Sequence, residues 1–386
     1  MLFCKECKKI ICTLTYIVYL VAVVAVFATQ FEGELEEPVK KPSVGADYYG
    51  IIKTEDERVI MESAVSYLLY EYEMNTYTTY PLGFIKEVKL NQSERVQMEH
   101  IIRKLTDVDN QTVRESLTYD EFLNCMKKVD TILGGGSSYS ESGIENNFAK
   151  IPMTYEQAME EYETLLSKDE LTNSYTRLFC DYLGIILGIM PIFVCAWLWQ
   201  ADKRAGAEPL IFSRKISSVK LVGTRYLALF TSMFLPVAAT YIYTLVKLGS
   251  LYSEIGLTIV ESFGLMLLWL VPEMLIVISI GTLLTILWSA YGAIFVQIIW
   301  WFTNVILKTQ LSGSITRGDL VIRHNTLAEV NLFYSQWDTF VLNRIMYLAL
   351  AIVFLAISVI LYDSKRKGKL NGKRMLRKNH TSKSKE

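Results

Sequence analysis

The sequence predicts an all-α integral membrane protein, with six transmembrane helices and a large, mostly helical extracytoplasmic domain between helices 1 and 2. Three observations point there. The 386 residues are 51% hydrophobic, with a mean hydropathy of +0.26. The apolar residues gather into one stretch near the start and a dense cluster in the second half, and several runs reach the length of about 18–20 residues that a bilayer core demands. Charge is split as well. Residues 31–177 hold 28 Asp/Glu against 15 Lys/Arg, and the remainder holds 12 against 24, so the net charge of -1 conceals an acidic insert inside a basic frame.

The first segment, residues 1–29, is a cytoplasmic N-terminus and a first span over about 10–29, with Lys5, Lys8 and Lys9 ahead of it. A cleaved signal peptide has the same plan, and Val26 and Ala28 mimic its cleavage site. The apolar run is long enough to span, and signal cores are shorter, which favours an uncleaved anchor. Either choice leaves the following domain outside.

Residues 30–177 form that domain. Thr54 and Glu57 make a capping box ahead of Val59, Ile60, Ala64 and Leu68. Ser93 opens a second helical run with Met98, Ile101, Ile102 and Leu105. Thr118 and Glu121 open a third, from Phe122 to Leu133, which Gly134-Gly135-Gly136 stops. Thr154 and Gln157 open a fourth, through Leu165. Strand signals are weak. Of the six cysteines only Cys125 lies well inside the insert, so no disulfide framework holds it.

Residues 178–362 form a five-helix bundle, with spans at 178–199, 226–248, 263–288, 291–307 and 343–362. The four residues after Trp288 make the fourth and fifth spans a tight hairpin, and 250–262 suits an interfacial amphipathic helix. Short loops rich in Lys and Arg stay in the cytoplasm. The N-terminal flank, the loop 200–225 with Lys203, Arg204, Arg214, Lys215, Lys220 and Arg225, and the tail 363–386 are the basic segments. Six spans put all three on one side. Trp197, Trp199 and Trp288 fall at inner ends, as an aromatic belt requires.

Motifs exclude more than they assign. No phosphate loop occurs, so the chain does not hydrolyse ATP itself. Cys4-Lys5-Glu6-Cys7 lacks a second ligand pair for zinc. No HExxH or GxSxG occurs, and His100, His324 and His380 are far apart. Catalytic and metal-binding residues are therefore expected to be none. Glu273 follows Pro272 inside the fourth span, as a contact on a substrate path or gate, or as an interfacial group; Pro272 suggests a kink or a discontinuous helix. Asp181 falls near an outer helix end. The loop after the second span carries Asp202, Lys203 and Arg204, then Leu210, Ile211, Phe212, Ser213, Arg214 and Lys215. Positive-inside retention and lipid phosphate contacts explain its charge. Its mix of apolar and basic residues also suits a short helix docking into a cytoplasmic partner. The basic tail calls for lipid, not nucleic acid.

These residues resemble the ABC-2 type permeases, the membrane subunits of bacterial ATP-binding-cassette exporters, especially those of Firmicutes. The resemblance covers nearly the whole chain. It is carried by Asp181-Tyr182-Leu183-Gly184, Asp202-Lys203-Arg204, Ser213-Arg214-Lys215-Ile216-Ser217 and Arg225-Tyr226-Leu227, with Leu133-Gly134-Gly135-Gly136-Ser137 and Arg323-His324-Asn325 beside them. It implies a second permease subunit, identical or paralogous. It also implies a separate cytoplasmic ATPase, which brings ATP and Mg, at a coupling element that includes Phe212, Ser213, Arg214 and Lys215. Phe3–Lys9 resembles a short elbow helix. The rival readings are a membrane-anchored receptor using the acidic domain, and a secondary transporter, which should show more intramembrane charges or an internal repeat.

Overall fold

A computed structural model describes residues 2–81, 84–107, 112–253, 256–305, 315–324 and 326–369. Two compact units divide the chain, one of them centred on Lys40–Glu163, the other built from Met1–Val39, Thr164–Asn304 and Ile315 onward. The polar unit is thus narrower than the expected 30–177, because its flanks group with the apolar helices.

Helix α1 (Leu2–Ile11) and helix α2 (Leu14–Val26) begin the apolar unit. Thr13 separates them: its extended backbone stops α1, and its hydroxyl accepts the Tyr16 N–H at 3.2 Å as the cap of α2. With the wide and tight turns that follow, the first span runs Leu14–Leu35. The basic flank is therefore a helix of its own.

The polar unit holds more elements than the four expected helices. Strand β1 (Ile51–Lys53) precedes α3 (Glu57–Met74), then come β2 (Tyr77–Thr79), β3 (Lys86–Val88), α4 (Gln92–Leu105), α5 (Tyr119–Ile132), α6 (Glu141–Asn147) and β4 (Lys150–Pro152); α7 (Tyr155–Ser167) follows. β1 pairs antiparallel with β4, Ile52 opposite Ile151, and β2 with β3, Thr78 opposite Glu87. Such three-residue strands leave no alternation to detect. The start of α3 differs from expectation. Asp56 is the cap, accepting from Arg58 N and Val59 N, and Thr54 accepts from Asp56 N instead. Asn91 with Glu94, not Ser93, makes the capping box of α4. Thr118 and Glu121 bond reciprocally, as do Thr154 and Gln157. Gly134, Gly135 and Gly136 all take positive φ and end α5, where a side chain would be strained. Ala64, Leu68, Met98, Leu105, Phe122, Met126 and Val129 bury the helices against one another.

The apolar unit continues with α8 (Thr172–Leu187), α9 (Pro191–Arg204), the short α10 (Glu208–Phe212), α11 (Ser218–Leu251), α12 (Ile259–Leu287), α13 (Ala290–Val305), α14 (Val330–Ser335) and α15 (Trp337–Arg366). Among the described residues, five segments are long and apolar enough to cross a membrane: Leu14–Leu35, Thr172–Arg204, Ser218–Leu251, Ile259–Leu287 and Trp337–Arg366. A multi-pass helical membrane protein follows. The fifth expected span, 291–307, falls in α13, which over its described 16 residues rises about 24 Å, short of the ~30 Å core.

Several expectations need correction. Pro272 does not interrupt α12, which is continuous. The discontinuity lies in the second span, where Gly188–Met190 form a turn ahead of Pro191. Proline there has no N–H to give back to the preceding turn. The groups exposed by the break find partners on α13: Gln297 donates to the Gly188 carbonyl at 2.6 Å and Trp301 to the Ile185 carbonyl at 2.8 Å. Pro236 in α11 is handled likewise, with Tyr16 donating to Ser232 O at 2.9 Å and Tyr19 to Met233 O at 2.6 Å. Most of the expected loop 200–225 is helix, since α9 runs on to Arg204, α10 covers Glu208–Phe212 and α11 begins at Ser218. Among the described residues, 250–262 hold no separate interfacial helix, only the end of α11 and the start of α12.

Candidate functional site

The loop between α9 and α11 is not a free strap. Four elements converge on it. Asp202, in the last turn of α9, accepts from Lys9 of α1 at 2.6 Å and pairs with Arg225 of α11. Arg225 also faces Glu6 of α1 at 3.4 Å and lies over the Trp199 ring at 5.1 Å. Glu6, Asp202 and Arg225 are almost wholly buried. Two carboxylates and two cations thus neutralise each other, the condition on which buried charges are tolerated.

From the far side, Arg366 at the end of α15 donates to the carbonyls of Phe212 (3.0 Å), Arg214 and Ile216. One planar guanidinium fastens the loop backbone at three points. Lys365 pairs with Glu208 at 3.0 Å, and Ser218 donates to Asp363 at 2.9 Å. The Phe212 ring meets the Tyr362 ring edge-on at 5.8 Å. Together these walls, with Leu2, Ile211 and Leu221, enclose a cavity of about 240 Å³.

The structure therefore brings Asp202, Phe212 and Arg214 together with Glu6, Lys9, Arg225, Tyr362 and Arg366. Lys203, Arg204, Ser213 and Lys215 are exposed, and Arg214 is exposed while also bordering the cavity. Ser213 bonds locally to Leu210 O, and Arg204 to Gln200. Lys203, Arg214 and Lys215 form no ion pair among the described residues, and Leu210 is 70% exposed. The result is a rigidly mounted surface of uncompensated cations around an apolar residue.

Pro272 and Glu273 belong to a second place, inside the bundle. Glu273 is fully buried and faces Arg344 of α15 at 3.4 Å. Arg344 also donates to Trp269 O (3.1 Å), one turn before Pro272, and to Leu320 O (3.3 Å). Gly184 and Gly188 make room for the carboxylate. A Cβ at Gly184 would stand 3.4 Å from Glu273 Oε2, and one at Gly188 only 2.8 Å from Val321. Glu273 therefore faces the interior of the bundle rather than its outer surface. Asp181 is likewise fully buried, not at a helix end, accepting from Arg323 Nε at 2.9 Å and from His324 N at 2.6 Å. Burial beside Arg177 pushes the His324 imidazole down to about 4, so it is neutral at pH 7. Asn325 lies outside the described residues. A third pair, Asp169 with Arg177, is fully buried, and Tyr334 O–H donates to Asp169 at 3.0 Å. Among the described residues no cluster of His, Cys, Asp or Glu could hold a metal ion.

Comparison with protein families, with curated proteins and with solved structures finds no match.

Proposed function

We propose that this chain is the membrane permease of an ATP-driven exporter of the ABC-2 type, worked by a separate ATPase that docks on the loop between α9 and α11. The observation that carries this reading is the mounting of that loop. Its outward cations and exposed Leu210 offer a docking surface of mixed charge and apolarity. Its inner side is fastened to α15 by Arg366 and Lys365, and the end of α9 that leads into it is paired with α1 and α11, so force on the loop would pass into the bundle. ATP binding drives the bundle only if it favours one arrangement over another, and a stiffly held loop is the part on which that difference acts. On this reading the basic end faces the cytoplasm, with both termini, and the polar unit lies outside. A second permease subunit completes the path.

The test is Arg214→Glu combined with Lys215→Glu. Neither side chain forms an ion pair among the described residues, so folding should persist while ATPase docking weakens and transport is lost. Wild-type transport by that variant would sink the coupling role.

The buried pairs of Asp181 and Glu273 favour a second reading, a secondary transporter driven by an ion gradient. Each carboxylate, however, already faces an arginine, which serves a structural role equally well. Transport that survives removal of the ATPase and collapses with the proton gradient would select the second reading.

A further inference from the structure

We infer that the polar unit carries a docking surface for a cationic amphipathic peptide, formed by the outer face of α3 and the adjoining end of the β2–β3 hairpin. On α3, Tyr67, Tyr70 and Met74 recur at helical spacing and are 42%, 58% and 60% exposed. The adjoining face supplies Ile60, Ala64, Val65 and Leu68 to the core, with Tyr67 at its edge and Tyr70 and Met74 outside it. The Tyr67 and Tyr70 rings stand 6.5 Å apart, and Tyr67 rests against Phe148 at 5.7 Å. The β2–β3 hairpin is tied to the same helix, the Thr78 N–H donating to Glu71 Oε1 at 3.1 Å. Tyr80 is held there by its N–H, which donates to Gly136 O at 2.8 Å. Pairing of Thr79 with Lys86 sets Tyr80 across the hairpin from Ile85, and Phe84 and Ile85 are 69% and 77% exposed. Exposed large apolar side chains on one helix and on the hairpin tied to it mark an interaction site.

Charge selects the occupant. Residues 40–163 hold 22 Asp/Glu against 13 Lys/Arg. Glu73, three residues from Tyr70, is exposed and makes no ion pair among the described residues. Anionic lipid would be repelled by such a unit. A cationic amphipathic peptide fits both properties: its apolar side covers the tyrosines and Met74, and its lysines or arginines lie over tyrosine faces and beside Glu73. This surface goes beyond the exporter reading and does not depend on it, since the binding needs neither nucleotide nor ATPase.

The test uses the full chain in phosphatidylcholine nanodiscs and a fluorescein-labelled peptide of about 18 leucines and lysines at helical spacing. Saturable binding above that of empty discs is expected. Tyr67→Ser with Tyr70→Ser should weaken it about tenfold or more, and Glu73→Lys about threefold. Unchanged melting of the polar unit keeps those results interpretable. If the tyrosine pair lowers the melting temperature, the exposed Met74→Ser and Glu73→Lys variants decide instead. Equal binding to empty discs, or to the variants, would overturn the proposal. Flotation of wild-type discs with phosphatidylglycerol vesicles in the absence of peptide, lost in the tyrosine variant, would assign the surface to lipid and overturn it as well.

Discussion

Arg344 sits two turns inside α15 and compensates the one carboxylate of α12's interior. Removing it leaves Glu273 buried without its cation, which should cost about 3–5 kcal/mol. Arg344→Ala should therefore melt well below wild type in detergent, and Glu273→Leu with Arg344→Met should recover most of the loss. A double variant as unstable as the single one would deny that the pair is coupled. The sequence singles out Glu273, because a carboxylate beside proline inside an apolar run is conspicuous. It hides Arg344, because Asn343 and Arg344 open the apolar run and look like the ordinary polar edge of a span. Only the helix start at Trp337 moves them inside. Glu71 is hidden for a similar reason, in a helix full of glutamates. Burial raises its carboxyl above the usual 4.5, against the lowering effect of hydrogen bonds from Tyr139 O–H (2.6 Å) and Thr78 N–H (3.1 Å). A carboxyl that binds its proton more tightly when folded contributes stability below its unfolded value and loses it as pH rises through the folded value. The polar unit should thus lose stability as pH climbs above about 4.5, and Glu71→Gln should flatten that slope. Melting curves of both proteins across mildly acidic pH check this; the same slope in both would remove Glu71 as the cause.

At the scale of elements, the mounting of the loop depends on Arg366. It is the residue that holds Phe212, Arg214 and Ile216 by their carbonyls, and those three oxygens would otherwise face water. Arg366→Ala should free the loop without unpacking the bundle. Trypsin should then cut after Arg214 and Lys215 faster than in wild type, with little change in melting temperature. Equal cleavage rates would show that the ion pairs from α1 suffice to hold the loop. Helix starts with reciprocal caps, Thr118 with Glu121 and Thr154 with Gln157, were legible because the signal is local and three residues long. The cap at Asp56 was not, because Thr54, Asp56 and Glu57 offer competing registers and geometry chooses among them. The break before Pro191 was overlooked for the opposite reason. The run of Ile, Leu and Gly around it is uniformly apolar, and Pro272 drew attention to a helix that stays continuous.

For the whole molecule, the order of apolar runs was legible because a bilayer demands about 20 apolar residues in succession, a requirement that sequence displays directly. The number of spans is less so, since the described part of α13 stops at Val305, short of a full crossing. The convergence of α1, the loop, α11 and α15 was not legible. Glu6, Asp202, Arg225 and Arg366 are separated by up to hundreds of residues, and each looks like an ordinary flanking charge until the fold pairs them. On the proposed exporter reading, that convergence is where a docked ATPase would act on the bundle. The most direct test is to purify the tagged protein in mild detergent from its native membrane and identify what co-elutes. The account predicts a stoichiometric ATP-binding subunit, lost when Arg214→Glu and Lys215→Glu are combined. Elution of the protein without any ATPase, under several gentle conditions, would contradict it.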